Sequence, residues 1–284
     1  MPNLDEFESV FRAAAKSQFE YHPVRIDRVL VLTDRTDDQA QAFFQSIQRF
    51  LQVLGDDVRW ELSSVGALGD VEKLLEHIEA SSPDLVCAHR NLSGTAGSYP
   101  YSLGSYIDVV TQAIPTPVLL LPDPEPDGSL PTDCKSTKRV MALTNDLTGE
   151  HALPNYAVRF TVADGDLYLA HLEDNAVFER YMEIISKIPE IDTEMAREEI
   201  RQQLLKEPRD YIESCREVLA ERQIPLQVHP VVAMGRHIIQ CRRLIDEQSI
   251  DLVVMPTKDD EQLAMHGLAY PLAIELRGHP LLLL

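Results

Sequence analysis

SGTAGSYPYSLGSYIDVVTQAIPTPVLLLP (residues 93–122) and HGLAYPLAIELRGHPLLLL (residues 266–284) share one pattern: a glycine, a helical run, and an apolar strand introduced by proline. Eleven residues separate Ser105 from Pro117 and eleven separate Leu268 from Pro280, so the two passages are in register. Each follows an apolar run opened by aspartate, DLVCAH from Asp84 and DLVVMP from Asp251; counted from these, the first loop is four residues longer. One unit occurs twice, with loops that differ.

Upstream of these passages the same restart is visible. RVLVLTD (28–34) is echoed by RVMALTND (139–146), both continuous β-branched and leucine runs of the kind found in strands covered on both faces. Thr36 or Asp37 can cap the next helix, whose Ala40, Phe43, Phe44, Ile47, Phe50, Leu51 and Leu54 recur at helical spacing. VRWELSSV (58–65) alternates as a strand and GDVEKLLEHIEASSP (69–83) reads as a helix. Strands alternating with helices of this length predict a parallel sheet. In the second half GDLYLAHLED has no evident counterpart in the first, and IPLQVHPVV and IDLVVMP add two strands. Only four strands are expected in the first half, with a strand–helix unit missing between Leu54 and Val58. The charged region 174–222 is expected as separate helices divided at Pro189 and Pro208. The expected organisation is an N-terminal helix within 1–25 (stripe Leu4, Phe7, Phe11, Ala14), a shortened first domain 26–122, a Pro/Asp-rich linker 123–137, and a second domain 138–284. PVLLL and PLLLL are expected to pair with each other, making an intrachain pseudo-dimer and covering an edge that would otherwise invite aggregation.

The formal charge of −20 argues against nucleic-acid and anionic-membrane partners. No apolar run approaches a membrane span, and the acidic start lacks the basic, then apolar, pattern of a signal peptide. A soluble, cytoplasmic protein is expected. Cys87, Cys134, Cys215 and Cys241 are far apart and read as reduced thiols; the nine histidines show no paired metal-ligand spacing. No nucleophile elbow is present, and GEHALPNY (149–156) reads as helix-entry punctuation.

In an open parallel sheet, ligands sit beyond the carboxyl ends of the strands. The loop after DLVCAH leaves such an end; Gly94 and Gly97 permit close backbone approach, and Gly104-Ser105 opens a helix whose first amides favour an anion. Asp34, at the end of the first strand, is placed to meet a ribose hydroxyl or a purine amine, and Arg90 is a cation in a loop free of acids.

The strand-terminal Asp, the DLVCA strand, the glycine nine residues before LGS and the closing PVLLL resemble a universal stress protein domain, whose nucleotide motif is G-x2-G-x9-G-[ST]. Two copies imply a tandem protein with two open, Rossmann-like sheets of the adenine-nucleotide alpha hydrolase type. Gly94 matches the second motif glycine and Gly104-Ser105 its end; the first falls on Asn91 counted backward and on His89 counted forward. The site implied by the resemblance comprises Thr33, Asp34, Ala88, His89, Arg90, Gly94, Gly104, Ser105 and Tyr106, for ATP or AMP with Mg. The family's second strand supplies an adenine contact; its expected loss would open the pocket or leave the N-terminal helix to cover the gap. The second half carries Pro256 in place of the first loop glycine, Leu268 in place of Ser, Asn145 in place of the Asp, and Asp259, Asp260 and Glu261 against one cation, Lys258; no ATP is expected there. The expected function is a non-enzymatic, nucleotide-responsive regulator acting on a protein partner, alone or as a homodimer. Its rivals are a nucleotide-free scaffold whose 174–222 region binds a protein, and a weak ATP hydrolase.

Overall fold

The structure is a computed structural model and describes residues 18–94, 102–235, 237–257 and 269–284. The expected helix through residue 17, the loop glycine Gly97 and the acidic second loop, residues 258–268, lie outside the described residues. A single nine-stranded sheet runs through the molecule: β1 (Arg28–Thr33), β2 (Arg59–Ser64), β3 (Leu85–His89), β4 (Val118–Leu121), β5 (Arg139–Thr144), β6 (Asp166–Asp174), β7 (Gln227–Gly235), β8 (Leu252–Met255) and β9 (Leu281–Leu283). Its order is β2-β1-β3-β4-β9-β8-β5-β6-β7. Every neighbouring pair is parallel except β4 and β9, which meet antiparallel with Leu119 opposite Leu282.

The two apolar strands flagged in the sequence therefore pair at the centre of the sheet. Val118 to Leu121 and Leu281 to Leu283 are each no more than 1 % exposed. Full burial of such side chains contributes about 2 kcal/mol apiece as an upper estimate, so this seam is among the best-held parts of the chain.

Helices cover both faces, which is why the strands read as unbroken apolar runs. On one face lie α1 (Asp37–Phe50), α4 (Ala152–Phe160) and the long α6 (Thr193–Glu221); on the other lie α2 (Val71–Ser81), α3 (Ser105–Ala113), α7 (His237–Gln248) and α8 (Ala269–Glu275). A shorter α5 (Asn175–Ile185) precedes α6. The halves repeat one device at their strand starts. Asp84 Oδ2 accepts the amides of Asp27 and Arg28 at 2.9 Å, and Asp251 Oδ2 accepts that of Arg139 at 2.7 Å.

Three expectations need correction. First, β2 pairs with β1 as β6 pairs with β5, so β2 is the counterpart of β6; the strand without a partner in the first half is β7, at the outer edge. The missing unit follows β2 rather than preceding it. Second, Pro208 lies inside α6 and does not divide it. Leu205, Pro208, Tyr211, Ile212, Cys215 and Leu219 form one buried stripe, and its burial offsets the roughly 3 kcal/mol that an interior proline costs. Pro189, by contrast, falls between α5 and α6, as expected. Third, residues 18–27 carry no helix, and they reach the start of β2 through the Asp27 carbonyl, which accepts the Arg59 amide at 2.8 Å. Phe19 is buried against Tyr211, with its amide on Ser214 Oγ (3.1 Å), while Asn155 brackets the segment through His22 N–H and Glu20 C=O, each at 3.0 Å. The N-terminal segment thus straps the second half.

Candidate functional site

Sheet order places a switch point between β1 and β3: from β1 the chain goes to β2 on one side and then returns to β3 on the other. The crevice beyond these strand ends is where open α/β sheets bind ligands. Thr33 and His89, the last residues of β1 and β3, are buried there, and Asp34 follows Thr33 with a quarter of its side chain exposed.

These groups form one cluster. His89 Nδ1 is 2.8 Å from the Arg90 carbonyl, which can only accept, so Nδ1 carries a hydrogen. The other ring nitrogen, Nε2, lies 3.1 Å from Asp34 Oδ1 and 3.4 Å from Thr33 Oγ1, and Phe43 stands edge-on to the ring. Asp34 Oδ2 accepts the amide of Ser93 at 2.9 Å. Burial raises the Asp34 pKa, but His89, the Ser93 amide and Arg35 together outweigh it and hold the carboxyl below its ordinary value. Asp34 is therefore a clip, tying the end of β1 to the loop that leaves β3.

The loop's first turn is left-handed, with Asn91 at φ 55° and Ser93 at φ 57°. Asn91, one of the two positions on which the motif's first glycine falls, suits this turn because Asn tolerates that conformation better than most side chains. The Gly94 amide closes the turn on the Asn91 carbonyl at 2.8 Å. Gly104 returns the chain at φ 103°, and a Cβ there would stand 2.9 Å from Asn91 Cα. Glycine at 104 is thus demanded by backbone conformation and by close approach. Gly104 is the N-cap of α3 and supplies no side-chain acceptor; Ser105, exposed, is the first helical residue rather than the cap.

Other expected site residues are placed differently. Ala88 is fully buried within β3, between Leu32 and Leu120 of the flanking strands, and Tyr106 packs against the apolar layer under α3. Arg90 turns away from the loop. Its guanidinium, 4 % exposed, donates to the carbonyls of Ala273 and Leu276 at the end of α8, the latter at 3.1 Å. Burial pulls its pKa down to about 10, and Arg277 adds to this while Asp123 opposes it. A second guanidinium crosses in the other direction: Arg159 of α4 donates to the carbonyls of Val53 and Leu54, both at 2.8 Å.

Ser102 and Asp108 were not singled out by sequence. Ser102 Oγ accepts the Gly104 amide at 3.0 Å and donates to Asp108 Oδ2 at 2.6 Å, fixing the approach to α3. The only signal was a Ser two residues before a Gly, a common local turn. In the second half Thr144 repeats Thr33, accepting the Asp146 amide at 3.0 Å where Thr33 accepts that of Arg35 at 3.2 Å. Thr257 stands where Arg90 stands in the first half, and its amide reaches Leu284 as that of Arg90 reaches Leu121. His171, within β6 and opposite Thr144, pairs with Glu173 at 3.1 Å. Among the described residues no group of three or more His, Cys, Asp or Glu converges as a metal site.

No protein-family model matches the chain, and no curated protein matches it. Among solved structures, a universal stress protein from Archaeoglobus fulgidus is similar over 91 % of this chain and 96 % of its own, at 13 % identity and a TM-score of 0.53. A functionally unknown protein from Pseudomonas aeruginosa matches over 90 % and 81 % at 14 % identity and a TM-score of 0.47. A candidate universal stress protein from the same species matches over 98 % and 86 % at 12 % identity and a TM-score of 0.46. Identities this low speak for architecture alone, and the likeness to the Archaeoglobus fulgidus protein gives the chain a universal stress protein-type α/β fold.

Proposed function

We propose that this chain is a non-enzymatic regulator of the universal stress protein type, built as an intrachain pseudo-dimer of two domains, with one adenine-nucleotide site in the first half. The observation that carries this is the clip at the switch point: the Asp34 carboxylate holds the Ser93 amide at the start of a loop that re-enters through Gly104 at the head of α3. A carboxylate has about four acceptor positions, so Asp34 can keep Ser93 and still take a ribose hydroxyl. Phosphates would lie against the amides at the head of α3 beside Ser105, with Mg arriving on ATP; AMP is the alternative ligand. Occupancy orders the loop and alters affinity for a protein partner, and no chemical step is required. Four buried, unpaired thiols fit a reducing cytoplasm, and a charge of −20 fits a partner that is neither nucleic acid nor membrane.

Arg90 favours a second reading, a nucleotide-free scaffold, because this cation is spent on the α8 carbonyls instead of on a phosphate. The two are separated by denaturing freshly purified protein and looking for released nucleotide, then titrating Mg-ATP and AMP by calorimetry into wild type and Ser105→Glu. Ser105 is exposed at the first helical position, where an acid suits the helix dipole, so the variant folds while repelling phosphate. Binding that Ser105→Glu weakens supports the site. Absence of both retained and titrated nucleotide refutes it in favour of the scaffold.

A further inference from the structure

The sheet ends on β2 at one side and on β7 at the other, and among the described residues no strand lies beyond either. An edge strand turns alternate residues outward, each with its N–H and C=O unpaired. The Gln227 amide donates to the Gly165 carbonyl at 2.9 Å, so Gln227 and every second residue after it bond inward, while Val228, Pro230, Val232 and Met234 face out. Proline at 230 removes a donor from the middle of that row and blunts the β7 edge. On β2 the Arg59 amide donates to the Asp27 carbonyl at 2.8 Å, so Arg59, Glu61 and Ser63 bond inward while Val58, Trp60, Leu62 and Ser64 face out. No proline interrupts this row, and every residue of β2 is exposed or half-buried.

The side chains of this strand divide by face. Val58, Trp60 and Leu62 pack beside the apolar layer under α1, where Trp60 meets Phe44 edge-on at 6.2 Å between ring centroids. Arg59 and Glu61 alternate with them and so lie on the α2 face, where Glu61 is 3.4 Å from His77 Nε2 and 3.5 Å from Ser81 Oγ. The edge thus carries an apolar row on one face and one charge of each sign on the other.

We propose that β2 pairs antiparallel with β2 of a second copy of this chain, about a two-fold axis through Trp60. Outward backbone groups must meet outward backbone groups, and side chains must match on both faces. With Trp60 opposite its own equivalent, Val58 faces Leu62 on the α1 side and Arg59 faces Glu61 on the α2 side, each twice by symmetry. The Arg59–Glu61 pairs fall at non-hydrogen-bonded positions, where side chains of opposite strands are closest. Asp56 and Asp57 fall opposite Ser64 and Ser63, so like charges do not meet. Other registers fail. Centring on Glu61 sets that carboxylate against itself, centring on Leu62 sets Glu61 opposite Ser63, and centring between two residues sets an outward residue against an inward one. The charge of −20 on each copy opposes approach, but it is screened beyond about 8 Å at physiological salt, whereas the attraction at the edge is local. The interface does not involve the crevice between β1 and β3 and stands whether or not nucleotide binds.

The test uses the full chain at about 0.15 M salt. One strand edge makes a small interface, so sedimentation velocity should show dimers with a Kd on the order of micromolar. Trp60 is the chain's single tryptophan and sits on the axis, so its emission should shift on dilution through the same range. Arg59→Glu makes the edge acidic throughout and Glu61→Arg makes it basic throughout; both positions are exposed, and circular dichroism checks that each variant is folded. Each variant alone should lose about tenfold or more in dimer affinity, because attractive cross-strand pairs become repulsive. An equimolar mixture of the two should dimerise again, since every acid then meets a base, and the exchanged chain carrying both substitutions should dimerise as wild type does. A wild type that stays monomeric up to about 1 mM overturns the proposal. A dimer indifferent to both reversals overturns it by assigning association to another face, and a mixture that fails to recover overturns the register centred on Trp60.

Discussion

Replacing Arg90 by methionine removes a buried cation while keeping most of its volume, and so measures how firmly the two halves are joined at α8. Wild type gains two hydrogen bonds from the guanidinium to the Ala273 and Leu276 carbonyls, each worth about 1.5–3 kcal/mol for a charged donor. Against this stands desolvation: the fall of the Arg90 pKa from 12.5 to about 10 corresponds to roughly 3 kcal/mol at about 1.4 kcal/mol per unit. Arg90 Nε is also buried without a hydrogen-bond partner, which adds to the cost of the native residue. The balance still favours arginine by about 2 kcal/mol, because the substitution leaves helix-terminal carbonyls without a donor inside the protein. The assay is urea unfolding of wild type and Arg90→Met, with hydrogen exchange of the β9 and α8 amides as the local readout. We expect a lower midpoint at unchanged slope and faster exchange of Leu281 to Leu283. A variant as stable as wild type, with unchanged protection of β9, would show that the buried cation gives back in desolvation all that it gains, and would refute the assignment of Arg90 as a tie between the halves.

Two further outcomes follow from the loop. Gly104→Ala should cost about 1–3 kcal/mol and lower Tm by several degrees, because it meets both a positive φ and the Asn91 backbone at 2.9 Å; Gly55→Ala, at φ 86° with nothing within 4 Å, should cost less, and equal losses would remove the role of close approach. Asp34 has a depressed pKa, so its contribution is present above the ordinary value of 3.8 and is lost as pH falls through the lower folded value. Asp34→Asn should therefore be less stable than wild type at pH 7, by about 1 kcal/mol or less after solvent screening, and the gap should close in acid; a gap that widens on acidification would reverse the assigned sign.

Much of the sheet was legible because parallel strands covered on both faces are written as continuous apolar runs, and β1, β3, β4, β5, β8 and β9 all have that form. The antiparallel meeting of β4 and β9 was legible for a different reason: leucine runs at an uncovered edge need a partner, and the chain carries two. Strand order beyond that was not. Whether VRWELSSV is the counterpart of β6 or of β7 depends on crossover geometry, which leaves no mark on the residues themselves. Pro208 misled because its local preference is real, but the stripe from Leu205 to Leu219 overrides it. Within the candidate site, Asp34, His89 and Gly104 could be nominated from position along the strands and loop. Arg90 could be nominated too, but the direction of its side chain is set by α8, nearly two hundred residues away, and sequence spacing carries no record of that contact.

The antiparallel junction of β4 with β9 lies within one polypeptide, so dilution cannot separate its two sides as it separates the subunits of a homodimer, and unfolding across it should not depend on protein concentration. Covalent union also frees each side from copying the other. In a symmetric dimer every substitution appears twice, whereas here an arginine after β3 faces no obligation to be matched after β8, where threonine stands. A junction of this kind allows the two sides to diverge in sequence while a single sheet keeps both in fixed register.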